Sequence, residues 1–147
     1  MRHLFATFAF ALLGACGGGT DTTTPTSTSI KGTWSLQTIN GQALPYLAKA
    51  SPSTELTAEQ ITFDDISFTL LQTFRITDNG SVSTQSSSGA GTYALTGASI
   101  VLTTTASADG GGRTDPGTVS GNTLTVQTGA VVRGGVDART THVFTKR

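Results

Sequence analysis

The chain has 147 residues, with nine Lys/Arg balancing nine Asp/Glu, and only 12% of its residues are charged. That balance gives no electrostatic case for binding nucleic acid or an anionic membrane surface. One cysteine excludes an internal disulfide, and the wealth of Thr, Ser and Gly favours strands and turns over helices.

The first segment is basic at Arg2, apolar from Leu4 to Leu13, and ends in Leu13-Gly14-Ala15-Cys16. A helix needs roughly 20 apolar residues to span a bilayer. Leu4 to Leu13 supplies about half of that, which suits the apolar region of a signal peptide. The thiol directly after Ala15 distinguishes it from an ordinary secretory leader, because a thiolate is the nucleophile that lipid transfer requires. The segment resembles a bacterial lipoprotein signal peptide with its lipobox. The resemblance implies a diacylglyceryl group on the sulfur of Cys16, cleavage between Ala15 and Cys16, and further acylation of the new amino group. It places the protein in the cell envelope, lipid-anchored. Gly17, where an Asp would signal retention, implies the outer membrane of a two-membrane cell, facing periplasm or surface.

Loss of residues 1–15 removes Arg2 and leaves the mature chain one negative charge from neutrality. Gly17 to Ser29 reads GGGTDTTTPTSTS, without a large apolar side chain. Such a segment cannot offset its ordering entropy by burial, so residues 16–29 are expected to be a disordered tether. Its r.m.s. span is about 20 Å. Residues 30–147 remain as one domain.

That domain is expected to be all-β. Ile30, Gly32, Trp34 and Leu36 alternate with polar residues, a period of two with one apolar face. Asn40-Gly41 is a turn dipeptide. Pro45 and Pro52 exclude a continuous helix through Gln42 to Glu59, where Thr57 to Gln60 suits a capped helical turn or a loop across one barrel end. Ile61 and Phe63 predict a short strand, broken at Asp64-Asp65. Phe68, Leu70, Phe74 and Ile76 share one face of a longer strand ending at Asp78-Asn79-Gly80, the strongest hairpin signal in the chain. Ser81 to Ser88 reads as the return strand, then Tyr93 and Leu95, a turn at Gly97-Ala98, and Ile100, Leu102 and Thr104. Ala106 to Gly112 is expected to be a flexible loop and Gly129 to Ala138 irregular. Between them, Ser120-Gly121-Asn122 turns a hairpin into Leu124 and Val126. His142 to Lys146 closes the chain with Phe144. Eight to ten short strands with frequent turns favour an antiparallel up-and-down barrel.

Gly32-Thr33-Trp34, Asn40-Gly41 and Leu44-Pro45 are similar to bacterial lipocalin-like lipoprotein domains, of the calycin type. So are Gly91 to Leu95 with Ile100 to Leu102, Gly117 to Leu124, and the ending Val143 to Arg147. Thr77-Asp78-Asn79 keeps two of the three positions of the second lipocalin signature, Thr-Asp-Tyr. The resemblance implies that Trp34 closes one barrel end beneath a basic side chain, Arg139 or Arg147.

Candidate chemistry is sparse. His142, the one histidine of the mature chain, has no designated partners for a metal site or triad and reads as a surface or satisfied residue. Asp64 and Asp65, adjacent on a strand, face opposite sides. Asp109 to Asp115 lacks the alternating oxygens and closing Glu of a calcium loop, and its glycines lack the ending of a phosphate loop. Asn79-Gly80-Ser81 fits a glycosylation sequon but reads better as the hairpin turn. No catalytic, metal or cofactor assignment follows. Leu36, Phe68, Leu70, Phe74, Tyr93, Leu102, Leu124 and Phe144 either line a cavity for an apolar ligand or fill the interior. An eight-stranded barrel is only just wide enough for its own side chains, so a filled or mostly filled interior is expected. Two functions follow: a monomeric lipid-anchored module binding a small hydrophobic or amphipathic molecule, or a solid structural module that presents its outside to a protein or glycan. No enzymatic role is expected.

Overall fold

The computed structural model describes residues 29–107, 112–130 and 138–147. Cys16, the signal peptide and nearly all of the tether lie outside these residues. So do Asp109 to Gly111 of the calcium-like loop and most of the irregular Gly129 to Ala138.

Ten antiparallel strands follow one another: β1 (Gly32–Ile39), β2 (Gln42–Ala43), β3 (Tyr46–Ala50), β4 (Ser53–Phe63), β5 (Ser67–Asp78), β6 (Ser81–Thr96), β7 (Ser99–Ser107), β8 (Arg113–Ser120), β9 (Thr123–Ala130) and β10 (Ala138–Lys146). From β4 to β10 each strand pairs with its neighbour in sequence. β1 then pairs with β10 on one side and with Gln60–Phe63 of β4 on the other. Eight strands thereby close an up-and-down barrel. β3 adds to the far half of β4, and β2 to the end of β1.

Local chemistry explains the turns. Asn40 and Gly41 have φ of 50° and 79°, and Asn79 and Gly80 have 47° and 81°. Positive φ at both central residues gives the turn whose twist matches a two-residue hairpin, and Asn-Gly reaches it at least cost. Thr57 to Gln60 is neither helical turn nor loop. It lies within β4, an 11-residue strand that also absorbs the short strand expected at Ile61 and Phe63. The strand bulges between Leu56 and Ala58, and that shift of register interrupts the alternation on which the sequence reading relies. Likewise Ser81 to Thr96 is one 16-residue strand; opposite its Ala90 and Gly91, Thr105 is the extra residue of a bulge in β7.

The core fills the end of the barrel nearest the chain termini. Ile30, Trp34, Phe63, Phe68, Ile100, Leu124 and Phe144 are each at most 3% exposed. Trp34 donates its indole N–H to the carbonyl of Ile30 at 2.8 Å. The cation over its ring is Lys146, with Nζ 5.6 Å from the ring centroid, and neither Arg139 nor Arg147 takes that place. Alternation along β10 explains the correction. Lys146 is the cross-strand partner of Trp34 and shares the parity of inward-facing Phe144. Arg147 has the opposite parity and meets β1 through its backbone N–H, on Thr33. Arg139 pairs with Gly129, seven residues and about 23 Å of strand from Lys146. Tyr93 locks the β4–β5 turn of the same end by donating its hydroxyl to the carbonyls of Asp64 and Asp65 at 2.8 and 3.0 Å.

Two inward-facing glycines make room for this core. A Cβ on Gly91 would stand 2.1 Å from the Thr103 carbonyl oxygen and 2.8 Å from the Phe68 ring. The ring therefore occupies the volume that a side chain at 91 would need. Gly91→Ala is expected to cost about 1–3 kcal/mol, as overpacking does. Gly129→Ala, where the new Cβ meets nothing within 4 Å, should stay within about 0.5 kcal/mol; urea unfolding of the two variants checks both.

Burial, the first cause, raises the Tyr93 phenol above its ordinary 10.0. The folded state then holds this proton more tightly than the unfolded state. Its contribution is complete below pH 10 and is lost as pH rises through the folded value. Tyr93→Phe should cost about 1 kcal/mol at neutral pH and make the loss of stability above pH 10 shallower, as read from unfolding midpoints between pH 8 and 11.

Candidate functional site

Beyond the apolar core, the inward positions turn polar toward the other end of the barrel. The strand period places Glu59 beside Ile61 and Phe63 on the inner face of β4. By the same rule Arg113 and Asp115 extend the inward row of Gly117 and Val119, and Thr140 and His142 that of Phe144. Glu59, Thr104, Asp115 and His142 are each at most 6% exposed.

These groups form two linked sets. Asp115 accepts from Arg113 Nε at 2.8 Å and from the Gly129 N–H at 3.3 Å. Arg113 Nη1 in turn donates to the Gly129 carbonyl at 3.4 Å. The β8–β9 ladder runs only from Ser120↔Thr123 to Gly117↔Val126, and Pro116, which has no N–H to give, comes next. The Arg113–Asp115 pair thus supplies, through side chains, the donor and acceptor that a strand would have offered Gly129. In the second set, Glu59 Oε2 accepts from Gln72 at 3.0 Å and Oε1 lies 3.4 Å from His142 Nδ1. Thr140 Oγ1 is 3.0 Å from His142 Nε2.

Hydroxyl, imidazole and carboxylate here have the order of a catalytic triad, but they are not disposed to act as one. His142 Nδ1 has no aligned hydrogen bond among the described residues, and Thr140 lines none of the cavities described below. An activated nucleophile needs both an oriented base and a place for substrate. His142 is therefore a buried residue of the barrel interior, not a surface one. Asp65 sits at the opposite end, paired with Lys31. Among the described residues no three His, Cys, Asp or Glu side chains gather as a metal site.

The enclosed space that remains is small. A cavity of about 20 Å³ is lined by Phe68, Leu70, Leu102, Phe144 and Glu59 among others, room for about one water. A vestibule of about 60 Å³ reaches Glu59, Gln72, Thr104, Arg113 and Thr128. It shares Leu70, Ser88, Gly89 and Ser107 with an open depression of about 540 Å³ that continues over Thr69, Leu71, Ala90 and Ala106. The depression lies where β6 and β7 end their pairing at Gly89↔Ser107.

Of the apolar candidates, Leu36, Phe68, Leu102, Leu124 and Phe144 are buried core, and Phe74 and Tyr93 pack against that core. Leu70 alone of the set reaches the vestibule and depression. The sequence reading passed over Glu59 and weighed Arg113 and Asp115 only within the calcium-like loop. The signal that finds them is parity: each stands two residues from an inward position on its own strand.

Residues 30–126 match the family model of the lipocalin-like domain. Comparison with curated proteins and with solved structures returns no match. The matched span stops within β9, yet β10, beyond it, closes the barrel.

Asp115→Ala should cost about 2 kcal/mol, because it strips Arg113 of its partner and leaves the Gly129 N–H without an acceptor. Amide exchange at Gly129 should accelerate in the variant; unchanged exchange there would show that the bridge does not hold β9.

Proposed function

The chain belongs to the lipocalin-like domain family, and from that footing we propose a lipid-anchored envelope lipoprotein that binds a small hydrophobic or amphipathic molecule. The observation that carries the binding reading is the open depression of about 540 Å³ beside the β6–β7 edge, which shares Leu70, Ser88, Gly89 and Ser107 with the polar vestibule. A polar recess opening onto small and apolar residues suits a ligand with one end of each kind. The filled lower barrel leaves no room for a deeply swallowed ligand, so the molecule would be held at the wall, partly exposed. The protein is read as a binding module and not an enzyme. A solid interaction module is the weaker reading. Among the described residues the exposed large hydrophobics Leu47, Ile66, Leu71, Val82, Leu95 and Val101 are spread over β3, the β4–β5 turn, β5, β6 and β7, and single exposed apolar residues are ordinary.

Anchoring rests on the lipobox resemblance. The tether enters the domain at Ser29, whose carbonyl accepts from Lys146 Nζ at 2.7 Å. The barrel is thereby hung from its filled end, with the vestibule toward the other. Two acyl chains hold a protein on a bilayer where one is only marginal.

Mass spectrometry of the protein purified from bacterial membranes should give Cys16 as first residue, carrying diacylglycerol. An uncut leader or a different first residue would sink the anchor. Every residue of the core cluster lies between Ile30 and Phe144, so the polypeptide from Gly17 to Arg147 contains the whole barrel. An environment-sensitive lipid probe should shift to the blue on that polypeptide, and saturating probe without response would sink the binding reading.

A further inference from the structure

We propose that Asn79 is a site of spontaneous covalent modification: it cyclises onto Gly80 and opens to aspartate and isoaspartate, while Asn40, in the same kind of turn, is protected by the barrel.

Asn40 and Asn79 are the two asparagines followed by glycine. The reaction favours that neighbour, because glycine has no Cβ to hinder approach of its backbone nitrogen to the side-chain carbonyl. Gly80 N attacks Asn79 Cγ and forms a C–N bond. The side-chain Cγ–N bond breaks, and its nitrogen leaves as ammonia with the proton of the Gly80 N–H. Water then opens the five-membered imide. Addition at Cγ gives aspartate; addition at the main-chain carbonyl gives isoaspartate, whose backbone runs through the side chain and is one methylene longer.

The two turns match in backbone and exposure. Both residues of each pair have positive φ, and all four are exposed. They differ in what holds them. Asn40 Oδ1 accepts from the Thr141 N–H at 2.8 Å, and the Asn40 N–H donates to the Thr141 carbonyl at 2.8 Å. Ile39, just before, pairs with both Gln42 and His142. Turning the Asn40 carboxamide onto Gly41 N breaks its bond to β10. By contrast, neither the Asn79 side chain nor the Gly80 N–H has a hydrogen-bond partner among the described residues. Its hairpin is also the freer one. Among the described residues Ser81 to Ser88 pair with β5 alone, and Ser81 to Ser86 are all exposed. A hairpin tip with a single neighbour opens locally at little cost, and cyclisation proceeds from the opened tip.

The two products differ in consequence. Aspartate keeps the turn, since Asp-Gly suits the same two-residue hairpin. Isoaspartate lengthens the main chain where Asp78 must meet Ser81, and so loosens the outer end of the β5–β6 ladder.

Incubation of the Gly17–Arg147 polypeptide in mildly alkaline buffer, followed by tryptic peptide mapping, tests the proposal. Asn40 and Asn79 fall in separate peptides, Gly32–Lys49 and Ile76–Arg113. In the folded chain Asn79 is expected to convert about tenfold faster than Asn40 or more, the factor that one or two ordinary hydrogen bonds set on a rate. In urea the two rates should converge. Equal rates in the folded chain, or conversion of neither while both react in urea, would overturn the assignment. So would an undiminished ratio in urea, which would trace the selectivity to flanking sequence and not to the fold. Amide exchange from Ser81 to Ser86 should accelerate in the separated isoaspartyl form and stay unchanged in Asn79→Asp. Unchanged exchange in the isoaspartyl form would overturn the loosening of the ladder.

Discussion

The double pairing of β1 is the constraint on which the rest of the structure depends. One strand, Gly32–Ile39, hydrogen-bonds to the last strand and to β4, 25 to 31 residues downstream of it by register. Without that closure the meander would expose two edges of unpaired backbone. The clasp at its end is chemical as well as geometric. Trp34 is held by the Ile30 carbonyl, covered by Lys146, and shut off from solvent. The same lysine reaches Ser29, so the residue that covers the tryptophan also fixes where the chain enters the barrel.

Closure has a consequence for function. An eight-stranded barrel has little interior to spare, and here the lower half is spent on aromatic and aliphatic packing. Glycine at 91 and 117 shows how tight it is: each position lacks a side chain because a neighbour's ring, methyl or carbonyl is already there. What the upper half offers is not a deep cup but a polar layer beside a fork in the wall. Among the described residues β6 runs eight residues past its last pair with β7, hydrogen-bonded there to β5.

The polar layer also bears on stability. Ionised groups within a barrel are tolerated when they are paired and hydrogen-bonded, and the Arg113–Asp115–Gly129 bridge meets that condition. It substitutes for a ladder that Pro116 interrupts. In the second set Glu59 accepts from the Gln72 amide at 3.0 Å, with His142 Nδ1 3.4 Å from its other oxygen.

From residue order alone come the all-β class, the antiparallel meander, the Asn-Gly hairpins and the core face of β5, because period-two patterning and turn chemistry are local properties. The resemblances to a lipobox and to the family are local too. The bulge at Leu56/Ala58 was not legible, since one extra residue shifts parity and makes a continuous strand read as pieces. Nor was the cation over Trp34, because choosing between Lys146, Arg147 and Arg139 requires the register of β10 on β1. The gathering of Glu59, Arg113, Asp115 and His142 was invisible for a deeper reason. They sit on three strands separated by more than fifty residues of sequence between β4 and β8, and no local pattern states which strands curl to face one another. Only barrel closure decided that these four side chains share one interior, and so only the tertiary structure could show them together.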